Sequence, residues 1–464
     1  MESKIEFSTI ILAAGKGTRM KSDRPKVLHS ICGNPLIKYP LLAAKQAGAS
    51  NAVIVIGHGS EEVRLALKDE DVTFAVQKEQ LGTGHAVMVC EEAIKVRNQP
   101  VLILCGDAPL ITSETISDLV QRHTLEKNSV TVLTADFDEP FGYGRIVKDG
   151  DELVRIVEEK DATPEEKKLK EVNSGVYCVD ATYLFDSLAN VGRDNAQGEY
   201  YLTDIIKCGK DAGVKVGWSK VSDHDEIMGI NSRQELAEAG HIMRLRILDE
   251  LMTSGVTVVD PQSTYVDNGV KVGKDSILDP QVRLEGHTVV GEKVILETGN
   301  IIINSKVGDG THLKPYCVIT ESELAEETII GPFAHLRPGS TVKAKGKVGN
   351  FCEMKKSVLG AGSKVNHLSY IGDSEVGQGV NIGAGTVTCN YDGYNKYKTI
   401  IEDGVFIGSG TNLVAPVTVG SGAVIGAGST ITRNVPSDSL SLSRPEQKVL
   451  KDWAKKRREE REKK

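Results

Sequence analysis

The chain has 464 residues, with 56 Lys+Arg against 64 Asp+Glu and a formal charge of −8 at pH 7. That length predicts two or three domains with cores of their own and excludes a disulfide-stapled miniprotein. The acidic balance lacks the broad positive field that tracks a phosphate backbone, so no nucleic-acid partner is expected. Aromatic residues make up 5% while glycine numbers 47, a balance suited to turn-rich structure made of small side chains. The eight cysteines, Cys32, Cys90, Cys105, Cys178, Cys208, Cys317, Cys352 and Cys389, include no CxxC pair. They read as buried free thiols in a reducing compartment rather than zinc ligands or a redox dithiol. Acids in the first residues argue against a signal peptide, and no apolar run approaches the ~18 residues that cross a bilayer. A soluble cytoplasmic protein with no membrane partner is the expectation.

From residue 1 to about 230, short apolar runs alternate with helix-like segments: Phe7–Ala14, Ala52–Ile56, Val72–Val76, Val101–Cys105, Ser129–Leu133, Gly175–Val179 and Val214–Trp218. This βαβ rhythm predicts a mostly parallel sheet with helices on both faces. Residues 231–254 read as a linker helix. Ser232 and Glu235 form a capping box, and Leu236, Ala239, Met243 and Ile247 make one apolar face.

From residue 255 to about 437 the period is six. Aliphatics recur at Val266, Val272, Leu278, Leu284 and Val290. After a one-residue slip they resume at Ile295, Ile301, Val307, Leu313 and Ile319, then at Ile330, Leu336, Val342 and Val348, and at Leu359, Val365 and Ile371. The run ends Ile401, Ile407, Leu413, Val419, Ile425 and Ile431. One inward aliphatic per six residues, often followed by Gly at the corner, is the signature of a parallel β-helix of nine or ten triangular coils. The stretch between Thr388 and Ile401 is too long and too polar for a coil face and must loop out, and loops on a rigid scaffold often carry chemistry. The charged tail, 438–464, ends in blocks of both signs from Lys448 and reads as a solvated helix or frayed end.

Leu12-Ala13-Ala14-Gly15-Lys16-Gly17-Thr18-Arg19-Met20 closes the first strand and opens a Gly-rich turn, with Lys26 shortly after. Backbone N–H groups in such a turn approach phosphate oxygens closely, and the cations supply charge. Asp107 follows the Val101–Cys105 run, at the carboxyl end of a parallel strand where ligands of open α/β sheets sit. A carboxylate there suits Mg²⁺. Its other reading is a helix cap, for which Ser113 is better placed.

Together these segments resemble the sugar-1-phosphate nucleotidyltransferase (pyrophosphorylase) family, whose domain is an α/β, Rossmann-like fold. The likeness continues through Gln77, Gln80-Leu-Gly-Thr-Gly-His85, Gly142-Tyr-Gly-Arg145, Glu158-Glu-Lys160, Asn173-Ser-Gly175 and Gly198–Asp204. The resemblance implies that Leu12, Ala13, Ala14, Gly15, Gln77, Gly82 and Thr83 hold UTP. It implies that Gly144, Glu158 and Asn173 hold an N-acetylhexosamine, and that Asn231 joins Asp107 on Mg²⁺. Lys26 would stabilise charge at the α-phosphate, and Arg19 with Lys16 would neutralise departing pyrophosphate. Cys105 stands where some family members have an aromatic residue.

In the repeat region, Arg337-Pro-Gly, Asn350–Lys356, Asn366-His-Leu-Ser-Tyr-Ile-Gly-Asp373, Asn381–Gly385 and Cys389-Asn-Tyr-Asp-Gly are similar to the acetyltransferase half of the bifunctional N-acetylglucosamine-1-phosphate uridyltransferase/glucosamine-1-phosphate acetyltransferases. That family carries a left-handed β-helix of hexapeptide repeats. By this resemblance His367 is the general base, a role suited to a side chain that titrates near neutrality. Arg337 and Lys355 would bind the phosphate of glucosamine-1-phosphate, and Tyr370 and Asn381 would orient the sugar. Asn390, Tyr391, Ser409, Ala427 and Arg444 would contact acetyl-CoA, and Lys396 belongs to the same looped-out segment. A parallel homotrimer is implied, with each acetyl site built from neighbouring chains. Two other readings stay open here. A monofunctional pyrophosphorylase with a purely structural β-helix leaves His367 and the 390–396 loop without a role. A binding protein that pairs the same two domains has no need of both Lys26 and Asp107.

Overall fold

The computed structural model describes residues 5–463, which form two compact units divided after Arg244. In the first unit a nine-stranded sheet runs, from one edge, Val216–Lys220, Val130–Asp136, Glu171–Asp180, Pro100–Cys105, Phe7–Leu12, Ala49–Ile56, Thr73–Val76. Phe7–Leu12 is parallel to both neighbours, and Val216–Lys220 is parallel to Val130–Asp136. Glu171–Asp180 alone on this path runs antiparallel to the strands beside it. A hairpin of Arg145–Asp149 and Glu152–Val157 branches from it, and the apolar runs did not predict these two strands. The central strands are buried on both faces. Ile11, Ile54 and Leu104 face one apolar cluster, and Ile10, Val53 and Ile103 face another.

The helix Arg233–Thr253 opens on the expected box, in which Glu235 Oε2 accepts from Ser232 N at 2.8 Å and Glu235 N donates to Ser232 Oγ at 3.2 Å. Ala239 is buried with Ile31, Leu36 and Tyr39 in the first unit. Further along, Leu248 is buried against the first coil of the second unit. The helix Ser113–Glu126 is capped by Thr112 rather than Ser113, since the Thr112 side chain accepts from Thr115 N.

The second unit is a three-sided left-handed parallel β-helix whose faces are sheets of eleven, ten and nine short strands. It begins at Thr257–Val258 and extends to Leu440–Ser441, past the expected end at 437. Successive coils pair in register, as in Leu278 with Leu296 and Leu336 with Met354. Each inward aliphatic therefore sits on the one before it, and burying such a side chain contributes about 1.5–3 kcal/mol. Inside the corners, hydroxyls and amides serve backbone groups that the coil cannot pair: Ser276 Oγ donates to Gly291 O and accepts from Val294 N, at 2.9 and 3.0 Å.

The register needs one correction. Leu296 and Ile302 are fully buried, whereas Ile295 is 38% exposed, so the six-residue step continues unbroken from Val290 and the slip falls between Ile302 and Val307. The inward series also includes Leu324, Met354, Val376 and Ile382. The tail helix Trp453–Glu462 has no buried residue, and among the described residues no helix is long and apolar enough to cross a membrane. All eight cysteines are free.

Removing the Leu296 side chain leaves a cavity in the prism, so Leu296→Ala is expected to cost about 2–5 kcal/mol. Ile295→Ala should cost no more than a fraction of that. Urea unfolding of the two variants, followed by circular dichroism, checks the order; equal losses would return the inward position to Ile295.

Candidate active sites

The first site lies at the carboxyl ends of Phe7–Leu12 and Pro100–Cys105, where the chain leaves the sheet in loops. A crevice of about 300 Å³ is lined by Leu12, Ala13, Ala14, Gly15, Lys26, Gln77, Gly82, Thr83, Cys105 and Asp107, with Gln80 and Glu199 at its wall. All the expected nucleotide contacts outside the hexosamine set and Asn231 thus meet in one place. Gln80 Nε2 donates to Ala14 O at 2.8 Å and Gln77 Nε2 to Gly82 O at 3.1 Å, which joins the phosphate turn to the Gly82–Thr83 turn.

Two glycines are required by close approach. Gly17 has φ +59°, and a Cβ there would lie 2.6 Å from Lys26 Cβ. Gly82 has φ +104°, and its Cβ would lie 2.5 Å from the Tyr200 carbonyl. The turn containing Gly82 is fastened by Gly84 N to Tyr200 O at 2.8 Å and Leu202 N to Thr83 Oγ1 at 3.1 Å.

Lys26 forms an ion pair with Asp107 and donates to Asn231 Oδ1 at 2.9 Å. Ile230 N donates to Asp107 O at 2.9 Å and holds the Asn231 segment beside that strand end. An anionic and a neutral oxygen therefore converge on one cation. This hard-oxygen donor set fits Mg²⁺, which takes one or two protein oxygens and fills its octahedron with water and phosphate. Cys105, beside this pair, has its thiol pushed up to about 12 by burial and then by the Asp107 carboxylate, so it is protonated at neutral pH and does not compete for the cation. Lys16 and Arg19 occupy the exposed limb of the phosphate turn, with Arg19 on a single 3₁₀ turn, Thr18–Met20.

The expected hexosamine contacts form a second group on the antiparallel part of the sheet. Asn173 N donates to Gly144 O at 2.9 Å, and Asn173 Oδ1 accepts from Gly175 N at 3.0 Å. Glu158, half-buried, accepts from Thr203 Oγ1 at 3.3 Å.

On the prism, His367 sits where the first face turns into the second. Its Nδ1 lies 2.7 Å from Asn350 Oδ1. With the amide oxygen as acceptor Nδ1 is the donor, an arrangement that leaves Nε2 as the proton acceptor of a neutral ring. Backbone hydrogen bonds carry this corner up the prism from His367 to Ala384, Ser409 and Ala427: Gly385 N to His367 O, Gly410 N to Ala384 O and Gly428 N to Ser409 O. On the side toward the N-terminus the corner is bulky, with Tyr316, Phe333 and Phe351 stacked at centroid distances of 5.5 and 5.3 Å and Leu368 next in line. Past His367 the corner residues become Gly385, Gly410 and Gly428. A track of small residues thus starts at the histidine and runs three rungs, about 14 Å at ~4.8 Å per rung. Arg444 closes it by donating to Ala427 O at 2.8 Å. Ala384, absent from the expected contacts, lies inside this track.

The second face groups Arg337, Lys355 and Tyr370. Arg337 pairs with Glu353 at 2.8 Å, Lys355 stands 3.9 Å from Asp373, and Asn390 donates to Asp373. The Lys396 ammonium lowers the pKa of Lys355, a crowding of cations that an anion relieves. Asn381 does not join this group. It lies on the first face, in register with Lys364 and Phe406. Residues 391–398 are exposed outside the prism, tied by a bridge between Tyr391 and Lys396.

The nucleotidyl transferase family model matches residues 8–230, and the bacterial transferase hexapeptide model of six repeats matches residues 398–433. The chain is 49% identical over 454 residues to Bifunctional protein GlmU of Geotalea uraniireducens, covering 97% of this chain and 99% of that one. It is 49% identical over 448 residues to Bifunctional protein GlmU of Syntrophotalea carbinolica, covering 97% of each. With both halves matched in order along nearly the whole length, the chain belongs to the bifunctional GlmU family.

Proposed function

We infer that this chain acetylates glucosamine-1-phosphate with acetyl-CoA and then transfers uridylyl from UTP to the resulting N-acetylglucosamine-1-phosphate, releasing pyrophosphate and UDP-N-acetylglucosamine. The observation that carries the reading is the crevice that brings the nucleotide-contacting turns to Lys26 and Asp107. It is supported on the prism by a histidine with a free Nε2 at the head of a narrow track.

In the acetyl step, His367 Nε2 takes a proton from the glucosamine amine as nitrogen attacks the thioester carbonyl, and the coenzyme thiolate leaves. The Asn350 amide holds the imidazole in the tautomer this requires. Arg337, Lys355 and Lys396 offer charge to the sugar phosphate, and Tyr370 and Asn381 orient the ring. The coenzyme arm would follow Ala384, Ser409 and Ala427 toward Arg444, with Asn390 and Tyr391 at its reactive end.

In the uridylyl step, a sugar-phosphate oxygen, already anionic at neutral pH, attacks the α-phosphorus of UTP, so the protein must position and neutralise more than deprotonate. Gln77, Gly82 and Thr83 orient uracil and ribose, and the Gly15 turn holds the phosphates. Lys26, moving from Asp107 to the α-phosphate, stabilises developing charge, while Arg19 and Lys16 neutralise pyrophosphate. Asp107 and Asn231 would hold Mg²⁺, which when bound neutralises phosphate charge and fixes the geometry of attack.

Asn381 lies on a different face from Arg337. A parallel homotrimer, in which a neighbouring prism is brought against the His367 edge, accounts for this and for the exposed aromatic ridge. The expected domains are 1–230 for uridylyl transfer, 231–254 as linker, 255–437 for acetyl transfer and 438–464 as tail, and the cytoplasm is the expected compartment.

Mass spectrometry of products from glucosamine-1-phosphate, UTP and Mg²⁺, with and without acetyl-CoA, tests the whole sequence. UDP-N-acetylglucosamine should form only when the acetyl donor is present; its absence with active uridylyl transfer would return the prism to a scaffold. Asp107→Ala should lower uridylyl transfer by several kcal/mol of barrier, about a thousandfold or more, and leave acetyl transfer intact. His367→Ala should do the reverse, costing about 10²–10⁴ in acetyl transfer. Joint loss in either variant would point to global misfolding or one shared site, which a thermal melt separates.

Glu158 adds a pH signature. Desolvation first, then the Asp161, Asp204 and Glu199 carboxylates, raise its pKa above the ordinary 4.5, against the Thr203 hydrogen bond. A carboxyl whose folded pKa is raised favours the fold at low pH and opposes it as pH climbs through the folded value. Glu158→Gln should therefore melt above the wild type at pH 7, with the gap closing by pH 4. Thermal melts followed by the fluorescence of Trp218 read this directly, and a variant that is less stable at pH 7 would contradict it.

A further inference from the structure

The turn Gly142-Tyr143-Gly144 has no side chain to give the sugar at either glycine, so its contribution depends on where its backbone is held. Arg145 follows it directly and is 2% exposed. One guanidinium nitrogen lies 2.8 Å from Glu159 Oε2, and another donates to the Tyr143 carbonyl. The same Glu159 oxygen accepts from Gly142 N at 3.3 Å. The turn is thus held at Gly142 N and at the Tyr143 carbonyl by one ion pair, its guanidinium buried and its carboxylate half-buried, with Lys167 outside it at 3.9 Å from Glu159.

The pair also touches the other two sugar segments through the chain. Glu159 is the residue after Glu158. Arg145 pairs across the hairpin with Val157 and across the sheet with Val172, the residues just before Glu158 and Asn173. A Cβ on Gly144 would lie 3.1 Å from Ile156 Cγ2 and 3.6 Å from Asn173 Cβ, so the turn rests against both strands. Among the described residues, Arg145 Nε is buried with no acceptor. Keeping a partly unsatisfied guanidinium buried is costly where apolar packing would serve stability equally well.

We propose that Arg145 and Glu159 are a positioning pair for the sugar phosphate: without touching it, they set the Gly144 backbone against Glu158 and Asn173 and so determine how tightly that substrate is held. The proposal rests on the assignment of Gly144, Glu158 and Asn173 to the hexosamine. UTP, read by other turns, should be insensitive to the pair.

The test is steady-state kinetics of pyrophosphate release by the full-length chain, varying N-acetylglucosamine-1-phosphate and UTP separately. Arg145→Met alone leaves the half-buried Glu159 carboxylate without its guanidinium partner and is expected to lower stability. The double variant Arg145→Met/Glu159→Leu removes both charges together and should keep the fold, which acetyl transfer and a thermal melt would verify. It should raise KM for the sugar phosphate at least tenfold while KM for UTP stays within twofold. Arg145→Lys should recover only part of the loss, because an ammonium cannot serve Glu159 and the Tyr143 carbonyl with one planar fork. Wild-type KM for the sugar phosphate in the folded double variant, or a parallel rise for UTP, would overturn the proposal. Should the double variant not fold, Glu159→Gln, which keeps an acceptor for Gly142 N and removes the charge, is judged by the same two constants. Failure of the wild type to use N-acetylglucosamine-1-phosphate at all would instead refute the sugar assignment beneath it.

Discussion

In-register stacking of the coils is the constraint on which the second unit depends. Because Leu278 lies under Leu296 and Val348 under Val365, whatever occupies one place in a coil is repeated one rung on. Rows of aliphatics become a continuous core, and corners become continuous edges. The site inherits this geometry, since His367, Ala384, Ser409 and Ala427 form a line rather than a pocket. A change of side-chain size along one edge, from stacked aromatics to glycine, is enough to make a ridge on one side of the histidine and a track on the other. The looped-out segment obeys the same constraint. The chain leaves after Cys389 and returns at Thr399, which pairs with Ser374, so a polar insertion is accommodated without breaking the stack.

The first unit solves a different problem, that of holding a mobile cation near where phosphate must arrive. Lys26 comes from the phosphate turn, Asp107 from a strand end and Asn231 from the far side of the domain in sequence. The ammonium draws all three together. On the proposed reading, Asp107 and Asn231 would hold the divalent ion and Lys26 would serve the phosphate, so the three groups would have separate uses.

Much of this was legible in the sequence, and the failures have physical causes. The Gly-rich turn and Asp107 stand out because glycines and cations follow one apolar strand and a carboxylate follows another, and the structure brings both to one crevice. The hairpin Arg145–Val157 was missed because RIVKD and ELVRIV interleave charge with short apolar stretches, and a βαβ rhythm carries no information on the direction in which Glu171–Asp180 returns. At Ile295-Leu296 and Ile301-Ile302-Ile303 neighbouring residues are equally aliphatic. Spacing cannot choose between them until the stack decides which points inward. Thr112 and Ser113 posed the same ambiguity between adjacent hydroxyls. Ala384 left no signal because a small residue gains meaning only from its place on an edge.

The two sites also differ in how much of themselves one chain supplies. Loops at the ends of a twisted sheet can curl around a nucleotide, and the crevice holds its reading turns and its charges together. A flat-sided prism cannot curl. His367 is exposed on an edge, Arg337 and Lys355 lie on one face, and Asn381 lies on another. Rigid stacking keeps these faces from bending toward each other, so on the proposed reading the site would close only when a second surface is brought against the edge. The regularity that makes the prism simple to encode would then make its chemistry depend on assembly.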